Sequence, residues 1–148
     1  MIIHIGADHR GYALKERLKK MLADEGYAVV DAGAASPAAD DDYPDFAKPV
    51  AEAVGGDPAN HRGILICGSG FGMDMAANKF PGVRAALPMS PDHAFAARHD
   101  DDANVLSIAA DFTDPGVVEQ IVKTFLATPF AGDERYIRRI RKIIGPGL

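Results

Sequence analysis

The 148 residues contain a single cysteine. That excludes an internal disulfide framework and any multi-cysteine metal cluster, and it makes Cys67 either a packing residue or a reactive thiol. An excess of positive charge is also lacking: 16 Lys and Arg stand against 21 Asp and Glu, for a formal net charge of -5. The chain therefore has no broad electrostatic reason to bind nucleic acid or an anionic membrane, and any anionic ligand must be caught locally. No apolar run approaches the roughly 20 residues needed to span a bilayer. The opening MIIHIGADHR has neither a basic leader nor a small-residue cleavage site, which predicts a cytoplasmic protein. Repeats, linkers and low-complexity segments are missing too, so residues 1–148 are expected to form one domain.

What is present is the ordinary composition of a soluble globular domain, 47% hydrophobic and 25% charged, enough for a real core. Ile2 to Ile5 reads as a β-branched strand running into the glycine-bracketed loop Gly6-Ala7-Asp8-His9-Arg10-Gly11. From Tyr12 a helix follows, with Leu14, Leu18, Met21 and Leu22 on one face, Lys15, Glu16, Lys19 and Lys20 pointing away, and Gly26 as its stop. Further strands are expected at about Ala28 to Asp31, Gly63 to Cys67, Arg84 to Leu87 and Val105 to Ala109, each buried on both faces. Helices alternate with them, from Pro44 to about Val54, Gly72 to Lys79, Pro91 to His99, and after the Asp114-Pro115 cap. A last helix, about Glu134 to Ile144, puts Ile137, Ile140 and Ile144 on one side and Arg135 and Arg139 together on another. This alternation predicts an α/β fold: a doubly wound, Rossmann-like parallel sheet of about five strands, helices on both faces and a C-terminal helix. Its ligand cleft lies beyond the carboxyl ends of the strands.

Cys67 closes the strand Gly63-Ile64-Leu65-Ile66 and precedes the turn Gly68-Ser69-Gly70-Phe71-Gly72, which opens a helix. A buried structural thiol is the bland alternative. The glycine turn moves the balance toward function, because such a turn gathers backbone N–H groups around an anion and a helix start is where thiols become reactive. Asp8 and His9, at the end of the first strand, face the same cleft. Arg135 and Arg139, one turn apart, form a fork suited to phosphate, although late basic residues in a helix are commonly only solvated. The runs Asp40-Asp41-Asp42 and Asp100-Asp101-Asp102 hint at a divalent metal, but such runs are usually solvated loop residues, and no metal is expected.

Taken in order, these pieces resemble the ribose-5-phosphate isomerase B family, which includes the galactose-6-phosphate isomerase subunits. The matching motifs are Gly6 to Gly11, Asp42-Tyr43-Pro44, Gly63 to Gly72, Ala76-Ala77-Asn78-Lys79, Asn104-Val105-Leu106 and the arginine-rich last helix. The resemblance implies a cofactor-free aldose-ketose isomerase in which Cys67 takes the proton alpha to the carbonyl and a cis-enediolate is reprotonated on the adjacent carbon. It implies that Ser69 helps move the proton between oxygens and that the N–H groups of Gly68, Gly70 and Gly72 hold the enediolate oxygen. Asp8 and Tyr43 match sugar-contacting positions, and His9, Arg135 and Arg139 match phosphate-side positions. It also implies a homodimer or homotetramer with shared active sites.

Four positions depart from that pattern. Aligned without gaps from Arg84 to Asn104, the family's ring-opening histidine falls on Asp100 and the asparagine after it on Asp101. His99 stands one position early, about 100° round the helix. A phosphate-binding arginine of many relatives falls on Asp111, and the histidine after the first terminal-helix arginine falls on Tyr136. Two expectations compete within the same chemistry. One is conversion of ribose 5-phosphate to ribulose 5-phosphate with Asp100 or His99 opening the ring and Asp101 contacting the sugar. The other is a tetrose or hexose phosphate, of which the tetrose needs no ring opening. A non-catalytic sugar-phosphate sensor in the same cleft is the alternative of another class.

Overall fold

The computed structural model describes residues 1–144, Ile144 by its backbone alone, so the expected inward placement of the Ile144 side chain lies outside the described residues. The elements alternate as the sequence predicts. They run β1 (Ile2–Ala7), α1 (Tyr12–Asp24), β2 (Ala28–Asp31), α2 (Tyr43–Gly56), β3 (His61–Cys67), α3 (Phe71–Ala77), β4 (Ala85–Ala86), α4 (Pro91–Asp101), β5 (Val105–Ala109), α5 (Pro115–Ala127) and α6 (Glu134–Ile144). The sheet has five strands in the order β2-β1-β3-β5-β4, and every pairing is parallel. The chain winds outward from β1 in one direction and returns on the other side through α2 to β3. The crevice at the carboxyl ends of β1 and β3 is therefore the switch point where ligands bind in such sheets.

Strand alternation assigns the two faces. Ile64 and Ile66 of β3 join Ile3, Ile5, Leu106 and Ile108 under Leu14, Leu18 and Leu22 of α1 and Val118, Ile121 and Phe125 of α5. Leu65 and Cys67 point the other way, packing with Val105 under Val50 and Val54 of α2 and Met73 and Ala77 of α3. Truncating one of these buried isoleucines to alanine costs about 2–5 kcal/mol. The caps follow sequence signals: Ser90 Oγ accepts from the His93 N–H ahead of Pro91, Asp114 Oδ1 from Gly116 and Val117, and Gly26, with φ 83°, ends the first helical segment.

Three expectations are corrected. The edge strand β2 is largely exposed, because only one neighbour flanks it. β4 shrinks to two residues: the Arg84 N–H is drawn to Asn104 Oδ1 at 2.8 Å, the Asn104 amide is anchored to Gly82 O at 2.7 Å, and Pro88 prevents extension. Lys15 points inward, 1% exposed, its Nζ donating to Asp31 Oδ2 at 2.7 Å and Ala34 O at 2.9 Å. Burial alone raises the Asp31 pKa, but the hydrogen bonds from Lys15 and Lys19 and from the Gly33 N–H outweigh it and leave the carboxyl below its ordinary range. A single partner removed from such a pair leaves an uncompensated buried charge.

Candidate active site

Three adjacent strands deliver the site. β1 ends just before Asp8, β3 at Cys67 and β5 at Ala109, two residues before Asp111, and backbone hydrogen bonds tie the loops together: Asp8 N to Ile66 O at 3.3 Å, Ala110 N to Cys67 O at 2.9 Å and Asp111 N to Gly68 O at 3.0 Å. Cys67 is 4% exposed, and its Sγ accepts the Gly70 N–H at 3.2 Å. Gly70 has φ 76°, and a Cβ there would stand 2.5 Å from Leu87 Cδ1, so the turn that aims this N–H at the sulfur is closed to other residues. The sulfur sits at the edge of a cavity of about 380 Å³ whose walls include Asp8, Tyr43, Gly68, Ser69 and Gly72. Gly70 does not line it. Its N–H, expected to hold an enediolate oxygen, is directed at the sulfur instead, a contact that steadies negative charge as a proton moves.

Asp8 is 6% exposed, and its Oδ1 accepts the N–H groups of Arg10 and Gly11, both at 3.0 Å; the carboxylate thus organises its own turn as well as facing the cavity. Next to it, His9 Nδ1 lies 2.6 Å from Asp41 Oδ1, while Asp41 Oδ2 is buried without a partner. Asp8, His9 and Asp41 present donor atoms within 4.8 Å of one another, the grouping among the described residues spaced to hold a cation. Their atoms are largely engaged by the turn and the ion pair. The Tyr43 ring, 38% exposed, leans on Gly72.

Two lining residues escape the sequence reading as partners. Arg10 and Asp111 both border the Cys67 cavity and pair through Nη2 and Oδ2. The pair rests on Gly68, where a Cβ would fall 2.5 Å from Asp111 Oδ2 and 2.6 Å from Arg10 Nε. The signal was present in the charged residue between Asp8-His9 and Gly11, but nothing in the one-dimensional pattern joins position 10 to position 111.

The other predicted site residues form a second cluster at the carboxyl end of α4, beneath α6. His99 Nδ1 lies 2.7 Å from Asp100 Oδ1, its ring stacks on Phe95 with centroids 4.9 Å apart, and it meets the Tyr136 ring edge-on. Hydrogen bonding from His99, then from Tyr136, holds the Asp100 carboxyl below its ordinary pKa, while the same Asp100 raises the Tyr136 hydroxyl. Arg135 donates to Tyr136 Oη at 2.8 Å and lies over its ring, with Arg139 5.9 Å from the same centroid. None of these residues lines the Cys67 cavity. Asp101 is apart from both groups, bordering a separate cavity of about 510 Å³ with Lys79 and Arg84. A third cavity, about 440 Å³ and mostly apolar, shares Ser69 and Phe112 with the Cys67 site and is otherwise walled by Phe71, Leu87, Met89 and Ala109. Phe71, Met75, Met89, Phe95 and Phe112 are all exposed. No helix among the described residues is long and apolar enough to cross a membrane.

Comparison with known proteins matches residues 3–143 to the family model described as Ribose/Galactose Isomerase. The chain is 45% identical over 142 residues to the protein of Mycoplasma genitalium named probable ribose-5-phosphate isomerase B, covering 96% of this chain and 93% of that one. It is 39% identical over 140 residues to ribose-5-phosphate isomerase B of Mycobacterium tuberculosis, covering 95% and 86%. The crystal structure of ribose-5-phosphate isomerase B from Mycoplasma genitalium with bound ribulose-5-phosphate superposes with a TM-score of 0.94 at 45% identity, over 97% of this chain and 93% of that one.

Proposed function

Since the chain belongs to the ribose/galactose isomerase family, we propose that it interconverts ribose 5-phosphate and ribulose 5-phosphate through a cis-enediolate, as a single cytoplasmic domain with Cys67 as the base. The observation that carries this reading is the buried Cys67 Sγ, held by the Gly70 N–H at 3.2 Å beside a cavity walled by Asp8, Tyr43 and Ser69. In the forward direction the thiolate takes the proton from the carbon next to the carbonyl. The electron pair moves into the new carbon-carbon double bond and the carbonyl oxygen becomes the enediolate oxygen, held by the N–H groups of Gly68 and Gly72. The Ser69 hydroxyl passes a proton between the two oxygens, and the thiol returns its proton to the former carbonyl carbon. Asp8 and Tyr43 receive the sugar hydroxyls. No atom is gained or lost and no electron leaves the substrate, so the chemistry asks for no cofactor.

Ring opening needs an acid or base besides Cys67. We assign it to His99 or Asp100, and the phosphate-side contacts of Arg135 and Arg139 with them, delivered from a second copy of the chain. The exposed Phe71, Met89 and Phe112 support such pairing, because they line an apolar cavity that shares Ser69 with the site. A second reading, a tetrose phosphate that is already open, is favoured by one observation: neither His99 nor Asp100 lines the Cys67 cavity.

The deciding experiment offers ribose 5-phosphate, allose 6-phosphate, galactose 6-phosphate and erythrose 4-phosphate to wild type and Cys67→Ala with chelator present. Cysteine-dependent turnover of ribose 5-phosphate is expected. Preference for erythrose 4-phosphate establishes the second reading, and turnover by Cys67→Ala at the wild-type rate removes the assignment of the base.

A further inference from the structure

We propose that Arg10 is the residue of the Cys67 cavity that grips the phosphate of the substrate, and that Asp111 is the positioning residue that spreads its guanidinium across Gly68. The inference rests on the sugar-phosphate reading above and adds a residue to it.

Charge makes the first case. Of the described residues lining the Cys67 cavity, Arg10 is the one cation, and it faces two carboxylates, Asp8 and Asp111. Without Arg10 those walls carry only negative charge. A phosphate ester, with a charge near -2 at neutral pH, would meet repulsion on every charged side. His9, the next residue to Asp8, is already tied to Asp41.

Geometry makes the second. The Arg10–Asp111 pair is seated on the α-carbon of Gly68, which leaves no room for a side chain there: a Cβ would lie 2.5 and 2.6 Å from the two partners. Gly68 immediately follows Cys67, so the contact places the guanidinium beside the base. Arginine offers five N–H donors in a planar fork. Nη2 is engaged with Asp111, and with the Arg10 side chain 58% exposed the fork has an open side for a phosphate.

As a stabilising feature the pair has little value. Exposed ion pairs contribute little to folding, and salt screens them. Its place in the cavity that holds Cys67 is explained by ligand binding, in which a dianion replaces part of the carboxylate's hold on the guanidinium.

The test is a KM-against-kcat split on Arg10→Met, Arg10→Lys, Asp111→Asn and the Arg10→Met/Asp111→Asn double variant with ribose 5-phosphate. Competitive inhibition by inorganic phosphate is read in parallel. Loss of a charge-assisted grip predicts a KM rise of roughly ten- to a hundredfold for Arg10→Met, the fall in kcat/KM being carried by KM. Arg10→Lys, which keeps charge but loses the fork, is expected between Arg10→Met and wild type. Asp111→Asn keeps an acceptor for the fork and removes the competing charge, so KM and the phosphate inhibition constant fall severalfold, and this gain disappears in the double variant. Unchanged KM and unchanged phosphate inhibition in Arg10→Met overturn the proposal, as does a loss confined to kcat. If wild type turns over none of the four sugar phosphates, the isomerase reading fails separately. Calorimetric titration of wild type and Arg10→Met with inorganic phosphate then decides about Arg10: weaker binding by the variant supports the grip, and equal binding removes it. Should Arg10→Met fail to fold, Arg10→Lys and Asp111→Asn carry the same decision.

Discussion

The Cys67 cavity and the α4–α6 end of the molecule are built by opposite means. Around Cys67 the backbone does the positioning: three parallel strand ends, a glycine with φ 76°, an N–H aimed at the sulfur and an Asp8 held by two backbone donors. At the other end side chains position one another. His99 leans on Asp100, Phe95 and Tyr136, and Arg135 lies over the Tyr136 ring. The first region has the thiol and a cavity whose lining, among the described residues, holds one cation. The second has two arginines and a histidine gathered around Tyr136, and no thiol. Each region holds what the other lacks, and in the proposed pairing a second copy covers the apolar residues exposed beside Ser69.

The comparison breaks most visibly at Cys67. Cys67→Ala is expected to lower kcat by about 10²–10⁴, the usual worth of a positioned base, with ligand binding changed little because a base acts on the transition state. Single-turnover rates and calorimetric binding together check this; a matched loss of both would mean that the thiol shapes the pocket rather than moves the proton. Complementation is the next largest effect. An Arg135→Ala/Arg139→Ala variant is expected to lose most of its kcat/KM, and mixing it with Cys67→Ala is expected to restore measurable turnover, since hybrid assemblies contain one intact pairing of the two regions. Restoration by mixing is the result that a site confined to one chain does not produce. Smaller still is the effect of Phe112→Asp at a residue 72% exposed. Its folding stability should stay within about 0.5 kcal/mol, while light scattering shows a shift toward monomer and activity falls with it.

How much of this was legible in the sequence follows from the same contrast. The parallel sheet, the switch-point cleft and the Cys67 turn were readable because period, glycine placement and helix caps are local signals. Lys15 was misread because helical periodicity assigned it to solvent, whereas its Nζ reaches Asp31 and Ala34, contacts made between different elements. Gly70 was placed in the right turn, but the aim of its N–H at the Cys67 sulfur was not legible, since the direction of one donor depends on a dihedral angle that the sequence does not state. The Arg10–Asp111 pair spans 101 positions and was invisible for the same reason as the His9–Asp41 pair. The departures at Asp100, Asp101 and Tyr136 were found by alignment, yet only the fold separates Asp101, beside Arg84, from Asp100, beside His99.

The smallest expected effect sharpens the contrast through pH. Asp100 is held below its ordinary pKa first by His99 and then by Tyr136. A carboxyl depressed in the folded state stabilises it above the unfolded value, near 4, and that contribution is lost as pH falls through the lower folded value. Wild type and Asp100→Asn should therefore differ most in Tm above pH about 5 and converge in acid, where Asp100 is protonated and resembles the amide. Because the group is exposed, solvent screens the interaction and the difference stays small, shrinking further in high salt. The backbone-built region supplies the control: Gly70→Ala forces a side chain onto a left-handed turn against Leu87, a steric cost with no proton in it, so its loss of Tm should be the same at every pH. A Gly70→Ala defect that followed pH, or an Asp100→Asn defect that did not, would mean that the two regions are not held by the different means assigned to them.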